Sequence, residues 1–141
     1  MTGAQGRQFI RDCLPHGPGM CLLEAVLAWS DAHVVCRARE GGDNPLATEG
    51  GRLRAVHAVE YAAQATAVHG VLCGGDAARP GVIASVRSLR WVRSRLAGGA
   101  REVRCNRVLG QANAVVYDFE LQDAAGPAVS GRVAVAFPEE A

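Results

Sequence analysis

The sequence predicts an α+β protein in which one long central helix is wrapped by a curved antiparallel sheet of about six strands. Residues 53–72 carry apolar side chains around most of a helical circumference, and such a helix must be buried. Two apolar segments precede this helix and four Val-rich segments follow it, each of strand length. A sheet that curls round the helix buries it, and 141 residues suffice for one domain spanning 1–141.

Composition limits the function classes. With 49% hydrophobic and 21% charged residues, the chain is typical of a folded globular protein. Fifteen basic against 14 acidic residues leave a net charge of +1, without the basic excess of nucleic-acid-binding domains, so no nucleic-acid partner is expected. No apolar run approaches the roughly 20 residues that span a bilayer, and the first residues lack a signal-peptide pattern. We therefore expect no membrane association and a cytoplasmic location.

Five cysteines form neither a C-x-x-C pair nor an even set, which argues against a disulfide framework and a zinc site. We expect them to be reduced and buried as small hydrophobic residues. They are Cys13, Cys21, Cys36, Cys73 and Cys105.

The first third of the chain predicts a short helix and a hairpin. A helix over 5–13 must end where residues 14–19 supply two prolines and two glycines. The apolar segments 21–29 and 32–39 flank the polar pair Ser30-Asp31, which predicts two hairpin strands. Residues 40–51 contain four glycines and a proline, so we expect a long loop, and long loops are often functional.

The central helix is predicted over 53–72 and ends at Gly74-Gly75. Strands should then follow at 82–92, 100–108, 113–121 and 129–137. A sheet wrapped round one helix keeps open edges, and a second subunit commonly covers such edges. We therefore expect a dimer.

Glu60 is the only carboxylate between Val56 and Leu72. If it is buried beside Val59 and Tyr61, desolvation raises its pKa towards the range useful for acid/base catalysis. The alternative is a polar stripe facing solvent, because His57 and Gln64 lie three residues before and four after Glu60, on the same helix face.

The histidines leave alternatives open. His57 could form an acid/base pair with Glu60, or it could be a surface residue at the helix start. His69 stands near the helix end, where a partial positive charge suits the helix dipole. His16, in the Pro/Gly loop, and His33, in a strand, are interpreted first as structural residues.

Motifs for other chemistries are absent. The chain contains no G-x-G-x-x-G, P-loop or G-x-S-x-G sequence and no metal-ligand spacing, so no cofactor and no metal are expected. Four arginines surround Trp91, either as a solvated strand face or as a docking site for an acidic carrier protein. They are Arg87, Arg90, Arg93 and Arg95.

Three segments carry a family resemblance. Leu14-Pro15-His16, the helix sequence VEYAAQA at 59–65 and AVHG at 67–70 resemble the 3-hydroxyacyl-[acyl-carrier-protein] dehydratases of the hotdog fold. The chain is most similar to the predicted dehydratases of aryl-polyene-type biosynthetic clusters. This resemblance implies a hotdog dimer with acyl tunnels at the subunit interface. It also implies that a loop histidine and an acidic residue on the partner's helix add and remove water at C2–C3 of the acyl thioester.

The resemblance assigns the acidic role to Glu60 and the role of its helix companion to Gln64. It implies that backbone N–H groups near Arg54 and Ala55 hold the thioester carbonyl. The chain departs from the family at 43–45, where Asp-Asn-Pro replaces the pattern's histidine before Phe-Pro, so Asn44 is taken as a substrate contact.

No histidine occurs between Glu40 and Arg54, and half of the usual dyad is therefore missing. His57 could substitute from the first helical turn, or His16 could reach in from its loop. In the third alternative the chain is a catalytically weakened partner subunit.

We expect a dehydratase-like protein acting on 3-hydroxyacyl thioesters of acyl carrier protein in fatty-acid-like or polyene biosynthesis. One alternative is a hotdog thioesterase in which Glu60 activates water against an acyl-CoA. Another is a non-catalytic hotdog subunit that presents carrier protein through Arg87, Arg90 and Arg93. The expected partners are therefore acyl carrier protein or an acyl-CoA, and either a second copy or another hotdog subunit.

Overall fold

The computed structural model describes residues 6–14, 21–39, 54–74, 81–93, 96 and 101–138. A short helix is followed by two strands, the central helix and four more strands, which confirms the predicted order and the α+β architecture. In this part of the chain no helix is long and apolar enough to cross a membrane. The elements are α1 (Arg7–Cys13), β1 (Leu23–Trp29), β2 (His33–Ala38), α2 (Ala58–Leu72, after a 3₁₀ turn at Ala55–His57), β3 (Val82–Trp91), β4 (Glu102–Gly110), β5 (Ala114–Asp123) and β6 (Gly126–Ala136).

The six strands form one antiparallel sheet in the order β1-β2-β4-β5-β6-β3. Strands β1 and β3 are the two edges of this sheet. Helix α1 packs against β1, whereas β3 pairs with β6 alone among the described strands and its residues are mostly exposed. The two edges therefore differ, because β3 is the more open to a further strand.

Helix α2 lies against the inner face of the sheet and forms the centre of the core. Its buried positions include Ala58, Ala62 and Ala65, whose small side chains let the helix approach the strands closely. Buried side chains from β2, β4, β5 and β6 supply the sheet side of this core. They are Val34, Cys36, Val103, Cys105, Tyr117, Phe119, Leu121 and Val133. The helix is apolar around most of its circumference because the sheet surrounds it on several sides.

Four of the five cysteines are buried as expected, but Cys73 is exposed because it follows the last residue of α2. All five thiols are free. Burial raises the pKa of Cys36 to about 12 and that of Cys105 well above its ordinary value, so both thiols stay protonated and inert at neutral pH.

His69 joins α2 to the sheet and to the turn after β1 through one buried and one partly buried hydrogen bond. Its Nε2 lies 2.7 Å from the Ser30 carbonyl oxygen and its Nδ1 lies 2.6 Å from the Tyr117 hydroxyl. Since a carbonyl can only accept, Nε2–H donates to Ser30 and Nδ1 accepts from the Tyr117 O–H. Burial lowers the pKa of His69, so the ring is neutral. The expectation of a positive charge at the helix end is therefore wrong, because this side chain points into the core.

Replacing Tyr117 with Phe should lower the free energy of unfolding by about 1 to 3 kcal/mol, because it leaves Nδ1 of the buried His69 without a donor. Urea denaturation of the two proteins measures this difference. A double-mutant cycle with His69→Leu serves as the control and should give a coupling energy above about 0.5 kcal/mol. A Tyr117→Phe protein as stable as wild type would contradict this role for the hydrogen bond.

Candidate functional site

A cavity of about 290 Å³ lies between one face of α2 and the edge of the sheet. Glu60 and Gln64 line it from the helix, and Val82 and Ile83 line it from the start of β3. Most of the remaining wall is apolar. Its other lining residues are Leu14, Ala63, Thr66, Ala67, Gly81, Val135 and Phe137.

Glu60 is the only charged residue among the described residues that line this cavity, and it is half-buried in the first turn of α2. A carboxylate is favourably placed there, because the helix N-terminus carries partial positive charge. In the described part of the chain no ion pair or side-chain hydrogen bond engages Glu60. Its carboxyl group is therefore available to a ligand in the cavity.

Gln64 lies one helical turn after Glu60 and is buried. Its side-chain oxygen accepts a hydrogen bond from the Leu22 backbone N–H at 2.8 Å. This contact assigns the amide orientation, since an N–H donor can be met only by the oxygen. The interpretation that Gln64 shares a solvent-facing stripe with Glu60 is therefore wrong. The side chain instead fastens α2 to the residues that lead into β1.

His57 stands in the 3₁₀ turn before α2 and is half-buried. The Arg54 backbone N–H donates to its Nδ1 at 3.4 Å, so in the neutral ring Nε2 carries the proton. Burial, and then the Arg54 guanidinium, lower the pKa of His57. His57 is not among the residues lining the cavity, and the described residues contain no hydrogen bond between His57 and Glu60.

The remaining candidate residues are not brought together at the cavity. Arg54 is exposed and Ala55 is buried, and neither lines its wall. His16 and Asn44 lie outside the described residues, as does the 40–51 segment that was expected to be a functional loop. Within the described ranges, no group of three or more His, Cys, Asp or Glu residues could hold a metal ion.

Sequence reasoning missed an extension of the cavity along α2. A neighbouring cavity of about 160 Å³ shares Thr66, Ala67 and Phe137 with the first. The two cavities adjoin at these three residues, and we refer to the pair as the groove. Its helix side runs from Glu60 to Val71, and Arg107 and Gln111 also line the second cavity. The spacing of Glu60, Ala63, Ala67 and Gly70 was the available signal, since these positions share one helix face.

The arginine cluster of the sequence is divided in the structure. Arg93 forms an ion pair with Asp123, whose carboxylate is fully buried, at 2.6 Å. Arg93 is therefore held to the protein itself, contrary to the expectation that it serves a carrier protein. Arg87 and Arg90 are exposed on β3, and Arg95 lies outside the described residues.

Solved structures share this architecture. One chain of the dehydratase heterocomplex ApeI:P from Xenorhabdus doucetiae is 26% identical, with a TM-score of 0.82 over 93% of this chain and 91% of that chain. Two thioesterases share the fold. A mutant thioesterase from Pseudomonas aeruginosa is 16% identical, with a TM-score of 0.67 over 94% of this chain and 93% of that chain. Zebrafish thioesterase superfamily member 2 is 15% identical, with a TM-score of 0.64 over 94% of this chain and 95% of that chain. No curated protein matches the sequence.

The family model ApeP-like, described as ApeP dehydratase, matches residues 8–141. This match covers nearly the whole chain and confirms the resemblance noted at the central helix. The chain has the hotdog fold and belongs to the ApeP-like dehydratase family.

Proposed function

We propose that this chain supplies Glu60 as one acid/base group of a dehydratase acting on 3-hydroxyacyl thioesters of acyl carrier protein, in aryl-polyene or related fatty-acid-like biosynthesis. The supporting observation is the position of Glu60, a half-buried carboxyl group on the wall of a largely apolar groove, which forms no ion pair or side-chain hydrogen bond with any described residue. Membership of a dehydratase family supports the reaction class.

The reaction requires two proton transfers. A base removes a proton from C2 of the 3-hydroxyacyl thioester, and an acid protonates the C3 hydroxyl, which leaves as water. The electron pair of the broken C2–H bond becomes the C2–C3 double bond of the enoyl thioester. Glu60 performs one of these transfers, so a second group must perform the other.

We assign the second group to another hotdog subunit. His57 is a weak candidate because it does not line the cavity. The start of the open edge strand β3 does line it, through Val82 and Ile83, so a subunit bound along β3 lies beside Glu60. The 26% identical chain comes from a dehydratase heterocomplex, which supports a heterodimer. In this heterodimer we assign the second role to the loop histidine that the family resemblance implies for the other subunit.

The groove along α2 suits the acyl chain of the substrate. Ala63, Ala67 and Gly70 leave room beside the helix, while Val82, Val135 and Phe137 supply apolar contacts. Gln64 holds the helix wall in place through Leu22, which makes it a positioning residue. The free thiols of the chain support a reducing, cytoplasmic compartment for this activity.

The chain alone should show little dehydratase activity, and adding a partner hotdog subunit from the same kind of biosynthetic cluster should raise the rate at least about a hundredfold, because the dyad is then complete. Formation of the enoyl thioester from a 3-hydroxyacyl carrier protein can be followed by mass spectrometry. The partner alone is the control. Full activity of either subunit alone would contradict the shared site.

In the reconstituted complex, Glu60→Gln should reduce kcat by about 10² to 10⁴ because the amide cannot transfer a proton. Glu102→Gln is the matched control, since Glu102 lies on β4 and does not line the groove. Unchanged activity of Glu60→Gln would favour the non-catalytic subunit. Release of free thiol from acyl-CoA that depends on Glu60 would favour the thioesterase.

Ala67→Phe should block the groove beyond Glu60 and lower kcat/KM for long acyl chains at least about tenfold while sparing the shortest ones. Chains of increasing length, each loaded on carrier protein, provide the measurement. Leu72→Phe is the control, because Leu72 is half-buried on the same helix and lines neither cavity of the groove. An equal loss of kcat/KM at every acyl-chain length would mean that the acyl chain does not lie in this groove.

A further inference from the structure

The open edge strand β3 concentrates the exposed apolar surface of the protein. Among the described residues eight large apolar side chains are exposed, and five of them lie between positions 82 and 92. These five are Val82, Ile83, Val86, Trp91 and Val92. Proteins usually cover or charge such an edge, because its unpaired backbone groups attract another strand. The composition of β3 is therefore that of an interface.

The charges on this edge all have one sign. Between Asp76 and Glu102 the sequence contains six arginines and no acidic residue. In the described part of this segment, Arg93 is neutralised by Asp123, whereas Arg87 and Arg90 are exposed and form no ion pair with any described residue. The apolar edge thus carries two uncompensated positive charges.

A β-bulge brings these two charges to the same face of the sheet. In a regular strand, residues three positions apart point to opposite faces. Here the pairing with β6 shifts between Arg87 and Arg90, and Ser88 adopts a left-handed backbone with φ of 54°. Arg87 pairs with Arg132 and Arg90 with Ser130, two positions apart on β6, so both arginines share a face.

On the shared face, both arginines line a second groove of about 620 Å³, which is separate from the groove along α2. Arg132 also lines it but is bound to Asp118 at 2.7 Å. Arg87 and Arg90 are therefore the two cations of this groove that no described carboxylate neutralises.

Pairing β3 with a second copy of itself brings like charges together. In an antiparallel pair, opposite residues share a face, so full overlap places Arg87 opposite either Arg87 or Ser85 of the other copy. The Cβ atoms of the two Arg87 residues then lie about 5 to 8 Å apart, and each copy adds Arg90 nearby. Such contacts oppose self-association even though the apolar residues favour it.

We propose that β3 is a charge-selective docking strand, which binds the edge strand of a different hotdog subunit carrying acidic side chains opposite Arg87 and Arg90 and disfavours a second copy of this chain. The proposal rests on the heterodimer put forward under Proposed function. It adds the chemistry by which the chain distinguishes its partner from itself.

Charge reversal tests the proposal without the natural partner. Wild-type chain and the double variant Arg87→Glu/Arg90→Glu should each self-associate weakly. Their equimolar mixture should form a mixed dimer with a Kd at least about tenfold lower than either homodimer. Sedimentation equilibrium measures the three constants, and native mass spectrometry identifies the mixed species. Raising the salt concentration should bring the Kd of the mixed dimer closer to those of the homodimers, because salt screens exposed charges.

Arg37→Glu/Arg104→Glu is the matched control, since it makes the same charge change at exposed positions on β2 and β4 and should give no preferred mixed dimer. The neutral variant Arg87→Gln/Arg90→Gln should self-associate more tightly than wild type. A wild-type homodimer as tight as the mixture, or a mixture that remains monomeric, would overturn the proposal. These measurements record association alone, so their failure is distinguishable from a failure of the dehydratase activity.

Discussion

The structure depends on the burial of helix α2 against the inner face of the sheet. Alanines at its contact positions permit close packing, and two buried side chains then fix its place. Gln64 binds the Leu22 backbone near the start of β1, and His69 binds Tyr117 and Ser30 near the other end of the helix. Because both ends are held, the helix face that carries Glu60 is directed towards the groove rather than the core.

In the proposed heterodimer, the catalytic site and the subunit interface meet at the start of β3. The groove beside Glu60 is closed on one side by the beginning of β3, which is also the open edge of the sheet. A subunit that binds this edge would bring its own side chains to Glu60, so selection of the partner decides whether the acid/base pair is complete. The missing loop histidine then has a physical interpretation, because each subunit need supply only one of the two groups.

The sequence predicted the order of elements well, because apolar periodicity and Gly/Pro punctuation report local structure. It drew attention to Glu60, because a single carboxylate in an apolar helix is conspicuous, and the structure places this residue on the wall of the cavity; its catalytic role stays a prediction. It could not show that Gln64 is buried or that His69 is neutral, since both facts depend on residues about 40 to 50 positions away. The sequence could not show that Arg87 and Arg90 lie on the same face of the sheet. In a regular strand these two residues point to opposite faces, and they share a face here because of the bulge at Ser88.

The most direct test of an acid/base site shared between two subunits is a crystal structure of the heterodimer with a non-reactive 3-hydroxyacyl thioester analogue. We expect a Glu60 carboxyl oxygen within about 2.6 to 3.2 Å of the C3 hydroxyl or directly beside C2, with a histidine of the second subunit next to the other of these two positions. An analogue bound only within the second subunit, leaving the groove of this chain empty or filled by side chains, would contradict it.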